Sequence, residues 1–300
     1  MSLVIVGSVA FDTIQTPEAR RERIIGGSCT YSALAASYFT RPRIVAVVGE
    51  DFPKPTADFL KKRGVDLKGL TVVPGGKTFF WEGRYGDDPN QRDTVRLDLN
   101  VSRDFRPTLP PSYRDPDILF LANIGPGLQE HVLSQVKKPR IVAMDTIRHY
   151  IESEPEALER VLRRTDIFFA NDEEARLMTG ELNLIRAGRR LVERGPRLVV
   201  LKKGEHGAFV FGRHWLFGIM AHPCDQVVDP TGAGDSFAGA FLGYLDRAGT
   251  LRSSAIRKAA VYGSVLASFT IEDFGIERFK TMKPADVEGR FAALKKLVSV

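Results

Sequence analysis

Asp229-Pro230-Thr231-Gly232-Ala233-Gly234-Asp235-Ser236-Phe237 runs directly into Ala238-Gly239-Ala240-Phe241-Leu242-Gly243-Tyr244-Leu245, and the reading of this stretch decides the fold. Phe237, Phe241 and Leu245 recur every four residues, so the second half is a helix with one buried apolar stripe. The glycines therefore sit at its N-terminus. There, unpaired backbone N–H groups and the positive end of the helix dipole make an anion site, and the missing side chains let a phosphate come close. The charge of Asp235 would repel that phosphate, which makes sense for a group that handles a proton, as a general base aimed at an acceptor hydroxyl. The plainer alternative is a tight loop in which Asp235 only caps the helix. There is no Walker A pattern, and Phe237 stands where a complete Gly-x-Gly-x-x-Gly would need its third glycine. Both absences argue against a P-loop NTPase or a dinucleotide-binding dehydrogenase.

Working outward, short apolar runs at residues 3–6, 44–48, 118–121, 141–144, 167–169 and 198–201 read as buried strands. They alternate with amphipathic helical stretches such as 156–162 and 173–178, the latter stopped by Gly180, which predicts a mostly parallel sheet flanked by helices. Residues 78–99 break the rhythm. Phe79, Trp81, Gly83 and Tyr85 alternate on one face, Val95, Leu97 and Leu99 do so further on, and Gly86-Asp87-Asp88-Pro89-Asn90 between them predicts a hairpin turn. A small sheet with one apolar face does not stand alone in water, so it must cover a cleft, a partner subunit or both.

The 300 residues, 43% of them hydrophobic, are enough for a large core. No apolar run approaches the roughly 20 residues that cross a bilayer, which predicts a soluble, cytoplasmic protein without a membrane partner. Two cysteines, Cys29 and Cys224, cannot form a disulfide framework or a complete zinc site. The net charge of +6 is spread over separated basic doublets such as Lys61-Lys62 and Arg189-Arg190, which is a solvated surface rather than a nucleic-acid footprint.

Taken together these motifs resemble the ribokinase-like, or PfkB, family of carbohydrate and nucleoside kinases, and the resemblance extends over nearly the whole chain. It implies a catalytic base at Asp235, an anion hole from the amides of Gly232, Ala233 and Gly234, and a nucleotide contact at Thr231. Asp12, after the first strand, matches the acceptor-binding aspartate, and Gly26-Gly27 the paired glycines over which the acceptor packs. Asn171-Asp172-Glu173-Glu174 fits the Asn-x-x-Glu motif, so Asn171 and Glu174 are implied in placing phosphate and magnesium, Glu174 through water. Lys202-Lys203-Gly204-Glu205-His206-Gly207 resembles the nucleotide-binding turn, with Lys202, Gly204 and Gly207 as its contacts. ATP and Mg2+ follow from the resemblance, as does a monovalent cation such as K+, for which the chain offers no readable site.

Two departures bear on the substrate. Tyr31 stands where many members have an asparagine, and Lys202 where many sugar kinases have a threonine. Without the resemblance, Asp12 reads as a loop tie, Asn171 and Glu174 as helix caps, and Cys29 as a small buried hydrophobe. Arg148 is either a contact to an anionic acceptor or a surface ion pair. The five histidines show no ligand motif.

The sequence thus predicts one kinase domain over residues 1–300, with a β lid from about 13–25 and 78–99. The acceptor is a small molecule held between lid and core. A sugar or cyclitol is the first choice, because Asp12 suits a ligand with several hydroxyls. A nucleoside is the alternative, because Phe79, Phe80, Trp81 and Tyr85 offer rings for a base, and an inactive nucleotide-binding protein is a third reading. The lid's apolar face also predicts a homodimer through paired lids.

Overall fold

The centre of the molecule is a sheet whose strands are buried on both faces. The computed structural model describes residues 2–298 and contains thirteen strands in two sheets. The strands are β1 (Leu3–Val6), β2 (Ala10–Gln15), β3 (Arg20–Gly26), β4 (Arg43–Gly49), β5 (Asp66–Val73), β6 (Phe79–Tyr85), β7 (Arg92–Asp98), β8 (Ile118–Leu121), β9 (Ile141–Met144), β10 (Ile167–Asn171), β11 (Leu198–Lys202), β12 (Ala208–Gly212) and β13 (Trp215–Ile219). The helices are α1 (Ser28–Ala36), α2 (Lys54–Lys62), α3 (Pro126–Leu133), α4 (Arg148–Ser153), α5 (Pro155–Leu162), α6 (Asp172–Thr179), α7 (Leu184–Glu193), α8 (Ala233–Ala248), α9 (Ser253–Thr270), α10 (Glu277–Thr281) and α11 (Pro284–Val298).

The large sheet has the order β13-β12-β11-β10-β9-β8-β1-β4-β5 and is parallel from β5 to β11, with β12 and β13 added antiparallel. Alternate strand residues feed two cores. Leu3, Ile5, Phe120 and Phe169 pack with α1, α8 and α9 on one face, while Val4, Val6, Leu119 and Phe168 pack with α3, α5 and α7 on the other. Chain order reverses between β1 and β8, so a crevice opens at the carboxyl ends of the strands there. This is the expected mostly parallel α/β core with a small separate sheet.

Two packing features aim α8 at that crevice. Gly239 lets α8 lie against α1, since a Cβ there would fall 2.2 Å from the Ser32 carbonyl oxygen. Phe237, Phe241 and Leu245 are all buried, as their spacing predicts.

The small sheet has the order β3-β2-β6-β7. The predicted hairpin is present as β6 and β7, paired antiparallel, with Trp81 opposite Leu97 and Tyr85 opposite Arg92. The sheet also takes in Ala10–Gln15, so Asp12 lies inside strand β2, opposite Ile24 and Trp81, rather than in a loop after β1. Ile14, Tyr85 and Phe274 form a separate apolar cluster where this sheet meets the core. Val95 and Leu97 remain more than half exposed on β7, at 56% and 52%.

Candidate active site

The carboxyl ends of the parallel strands surround a cleft of about 530 Å3. Asn123 follows β8, Asp145 follows β9, Asn171 ends β10 and Lys202 ends β11, and all four line it. The opposite wall is the start of α8. Gly232 is the residue before the first turn, with φ +78°, a left-handed conformation that a side chain would strain. A Cβ at Gly232 would also fall 2.4 Å from the ring of Tyr31, so only glycine fits there. Gly232, Ala233 and Gly234 all line the cleft.

Asp235 sits in the first turn of α8, two residues into a helix whose N-cap is Gly232. Burial, then the charge of Asp145, pushes its carboxyl up to about 7, while Lys202 and Arg92 oppose the rise. Lys202 donates to Asp145 Oδ2 at 2.7 Å, a pair with side chains only 17% and 5% exposed. A Cβ at Gly234 would lie 3.1 Å from Lys202 Nζ, which puts the ammonium against the start of α8. Burial and then Asp145 also raise the pKa of Glu174.

Asn171 and Glu174 form a reciprocal cap on α6: Glu174 N–H donates to Asn171 Oδ1 and Asn171 N–H to Glu174 Oε2, each at 2.7 Å. Capping and cleft lining coexist, because both residues also border the cleft. At the far end Val227, Ala267 and Ile271 supply an apolar wall, with Ser264 and Ser268 beside it.

Of the residues singled out in the sequence, Gly232, Ala233, Gly234, Asp235, Asn171, Glu174, Lys202, Gly204 and Gly207 share this one cleft. Asp12, Gly26, Gly27 and Thr231 lie outside its lining. Asp12 is 3% exposed, tucked over Gly26, where a Cβ would fall 1.8 Å from its Oδ2. Burial and then the charges of Asp229 and Asp235 raise its pKa well above the usual carboxylate range. Thr231 instead shares a 2.9 Å hydrogen bond with Tyr85 of the small sheet. The Tyr31 hydroxyl is buried without a hydrogen-bond partner among the described residues, and Asp229, Asp12 and Asp235 are the charges around it. Cys29 is fully buried and its thiol pKa is raised, as for a structural cysteine. Arg148 forms surface ion pairs with Glu152 and Glu173.

Sequence reasoning passed over Asp145, Asn123 and Arg92. The first two carried a usable signal, since polar residues directly after parallel strands belong to the crevice. Arg92 carried none, because only the folded hairpin brings it to the cleft.

Fold and site together define a class: a ribokinase-like kinase, which transfers phosphate to an alcohol group of a small molecule. The chain belongs to the pfkB family of carbohydrate kinases, which matches residues 2–280. It is 30% identical over 246 residues to a cytidine kinase from Thermococcus kodakarensis, covering 81% of this chain and 87% of that one. A Burkholderia thailandensis nucleoside kinase solved in complex with inosine superposes with a TM-score of 0.79 at 22% identity, covering 97% of both chains. An E. coli protein described as a ribokinase II, solved in complex with ATP and Mg2+, gives the same TM-score of 0.79 at 20% identity, covering 97% of this chain and 99% of that one. Among the described residues no helix is long and apolar enough to cross a membrane.

Proposed function

We propose that this chain transfers the γ-phosphate of ATP to a hydroxyl of a nucleoside, with Asp235 as the general base. The observation that carries the chemistry is an aspartate in the first turn of α8 that lines the cleft with Gly232, Ala233 and Gly234 and has its pKa raised to about 7. The nucleoside reading replaces the sugar or cyclitol first suggested by Asp12. Its support is the likeness to a cytidine kinase, and a ribose carries the adjacent hydroxyls that Asp12 suits just as a free sugar does.

In this reading the acceptor lies between the small sheet and α8, its hydroxyls held by Asp12 over Gly26 and Gly27. Asp235 removes the proton from the attacking hydroxyl as the oxygen approaches the γ-phosphorus. The charge that develops on the equatorial oxygens meets the α8 amides and the helix dipole, with Lys202 beside them. The adenine lies against the Val227, Ala267 and Ile271 wall, and the Gly204 to Gly207 turn borders the phosphates. Asn171, Glu174 and Asp145 offer the hard oxygen donors that magnesium prefers, and the ion when bound neutralises phosphate charge. We take the chain to work as one catalytic unit with the small sheet as its lid. Val95 and Leu97 make that lid a surface for a second copy.

The base must be ionised to act, so activity falls as pH drops below about 7, tenfold per unit, and is level above it. An ADP-release screen with Mg2+ and K+ over cytidine, other nucleosides, pentoses, hexoses and cyclitols tests the substrate. Turnover of a nucleoside well above every free sugar is the expected result. Preference for a free sugar or cyclitol would overturn the nucleoside assignment.

A further inference from the structure

Asp12 lies in β2 between two residues that are both held by Arg23 of β3. In the ladder between these strands Asp12 faces Ile24 and Ile14 faces Arg21, so Glu22 and Arg23 together oppose Thr13 alone. This is a β-bulge, a device that bends a strand and re-aims the side chains beside it. Arg23 is its strained residue, with φ +50°. Among the described residues only Asn100 shares that left-handed backbone without being glycine, and asparagine adopts it far more readily than arginine does.

Three contacts hold Arg23 there. Its N–H donates to Thr13 Oγ1 at 3.2 Å, its guanidinium lies 4.3 Å from the centre of the Phe11 ring, and its Nη2 donates to Asp51 Oδ2 at 3.2 Å. Asp51 follows β4 of the large sheet and is itself fixed, since its Oδ1 accepts from Thr78 N–H at 2.8 Å and from Thr78 Oγ1 at 2.7 Å. One arginine thus ties the residues on both sides of Asp12 to the core. Phe11 and Thr13 alternate with Asp12 along β2, so the grip is on the strand face opposite the carboxylate. An ion pair as exposed as Arg23 with Asp51 adds little stability, so it does not by itself account for the strained backbone.

We infer that Arg23 is a positioning residue for the acceptor: by pinning Phe11 and Thr13 to the core, it sets the direction in which the Asp12 carboxylate points. The inference rests on Asp12 as the acceptor contact and adds the device that aims it. Loosening the bulge leaves Asp12 in place but spreads its direction. That costs acceptor affinity and leaves the α8 turn, where the phosphate reacts, untouched.

Initial-rate kinetics on Arg23→Gly, Asp12→Ala and the double variant test this, with cytidine first and then the other compounds of the ADP-release screen as acceptor. Arg23→Gly keeps the left-handed backbone without its strain while removing the guanidinium, so its melting temperature is expected to stay close to wild type. Its acceptor KM is expected to rise by about 3- to 10-fold, part of the effect of losing the whole Asp12 hydrogen bond, with kcat and the KM for ATP unchanged. Arg23→Lys keeps the charge without the planar stack and is expected to fall between. On the Asp12→Ala background, Arg23→Gly is expected to add less than about 2-fold, because the group it positions is gone. An unchanged acceptor KM in Arg23→Gly, a parallel loss in kcat and in the KM for ATP, or an equal rise on the Asp12→Ala background overturns the role of Arg23. A wild-type acceptor KM in Asp12→Ala instead overturns the acceptor contact, and turnover of none of the compounds overturns the acceptor site, each taking this role with it.

Discussion

The two sides of the cleft are built differently. The core side consists of strand ends and the α8 turn, fixed by buried packing on both faces of the sheet and by an ion pair, Lys202 to Asp145, that is almost out of solvent. The other side is a four-stranded sheet whose outer strand leaves Val95 and Leu97 in water and whose hairpin tip meets the Gly204–Gly207 turn through an exposed side-chain bond. A rigid wall can hold an anion hole to the tolerance that phosphoryl transfer needs, while a loosely held wall can admit and release substrate. On the proposed function, chemistry and access are divided between the two sides, and substitutions on each should fail differently.

The largest effect is expected on the core side. Lys202→Met leaves Asp145 buried without its partner, at a cost of about 3–5 kcal/mol of stability. Adding Asp145→Asn should restore most of that stability without restoring turnover, which should stay about 10²-fold down because the cation beside the α8 amides is gone. Thermal melts and kcat on the single and double variants check this. A double variant with normal kcat would make the pair purely structural.

A smaller effect is expected where the two sides meet. Asp12→Ala should raise the acceptor KM by about 10-fold or more, the loss of a charge-assisted hydrogen bond, with little change in ATP affinity. It should also stabilise the fold near neutral pH. Burial raises the Asp12 pKa, so the folded state loses stability as pH climbs from the ordinary carboxylate range, and removing the group relieves that loss. Unchanged KM together with a lowered Tm would mean that Asp12 serves the small sheet rather than a ligand.

The smallest effect belongs to the outer face of the lid. If paired lids bury Leu97, Leu97→Asp should turn a dimer into a monomer in sedimentation while altering kcat less than the core substitutions do. A wild-type chain that is monomeric at micromolar concentration, with and without nucleotide, removes the second copy from the account.

The same division governs what could be read in advance. Core strands at 3–6, 118–121 and 141–144 have their observed limits in their apolar runs, because burial on both faces leaves no polar alternation to confuse. Strand β5, at the sheet edge, mixes Asp66, Lys68 and Thr71 with apolar residues and shows no such run. Strands β12 and β13 form a hairpin around Arg213 and His214, and half-exposed β13 also gives a weak pattern. Around the site, Gly232 to Asp235, Asn171 and Glu174 are legible because each is a local motif, a helix start with a specific spacing. Arg92 and Asn90 are not, since their place arises only when the hairpin and the Gly204–Gly207 turn are brought together.

The central claim is that Asp235 is the base, and the rate of a single turnover against pH tests it most directly, in the wild type and in Asp235→Asn. The wild-type rate should climb with pH and level off near 7, the value set by burial and by Asp145. Asp235→Asn should be slower by about 10² to 10⁴ at neutral pH and should lose that acid limb. It should also melt higher than wild type at pH 8, with the gap closing as pH falls from about 7 toward the ordinary carboxylate range, because a buried charge has been removed. A folded Asp235→Asn protein that keeps the wild-type rate and the same pH profile would contradict the account.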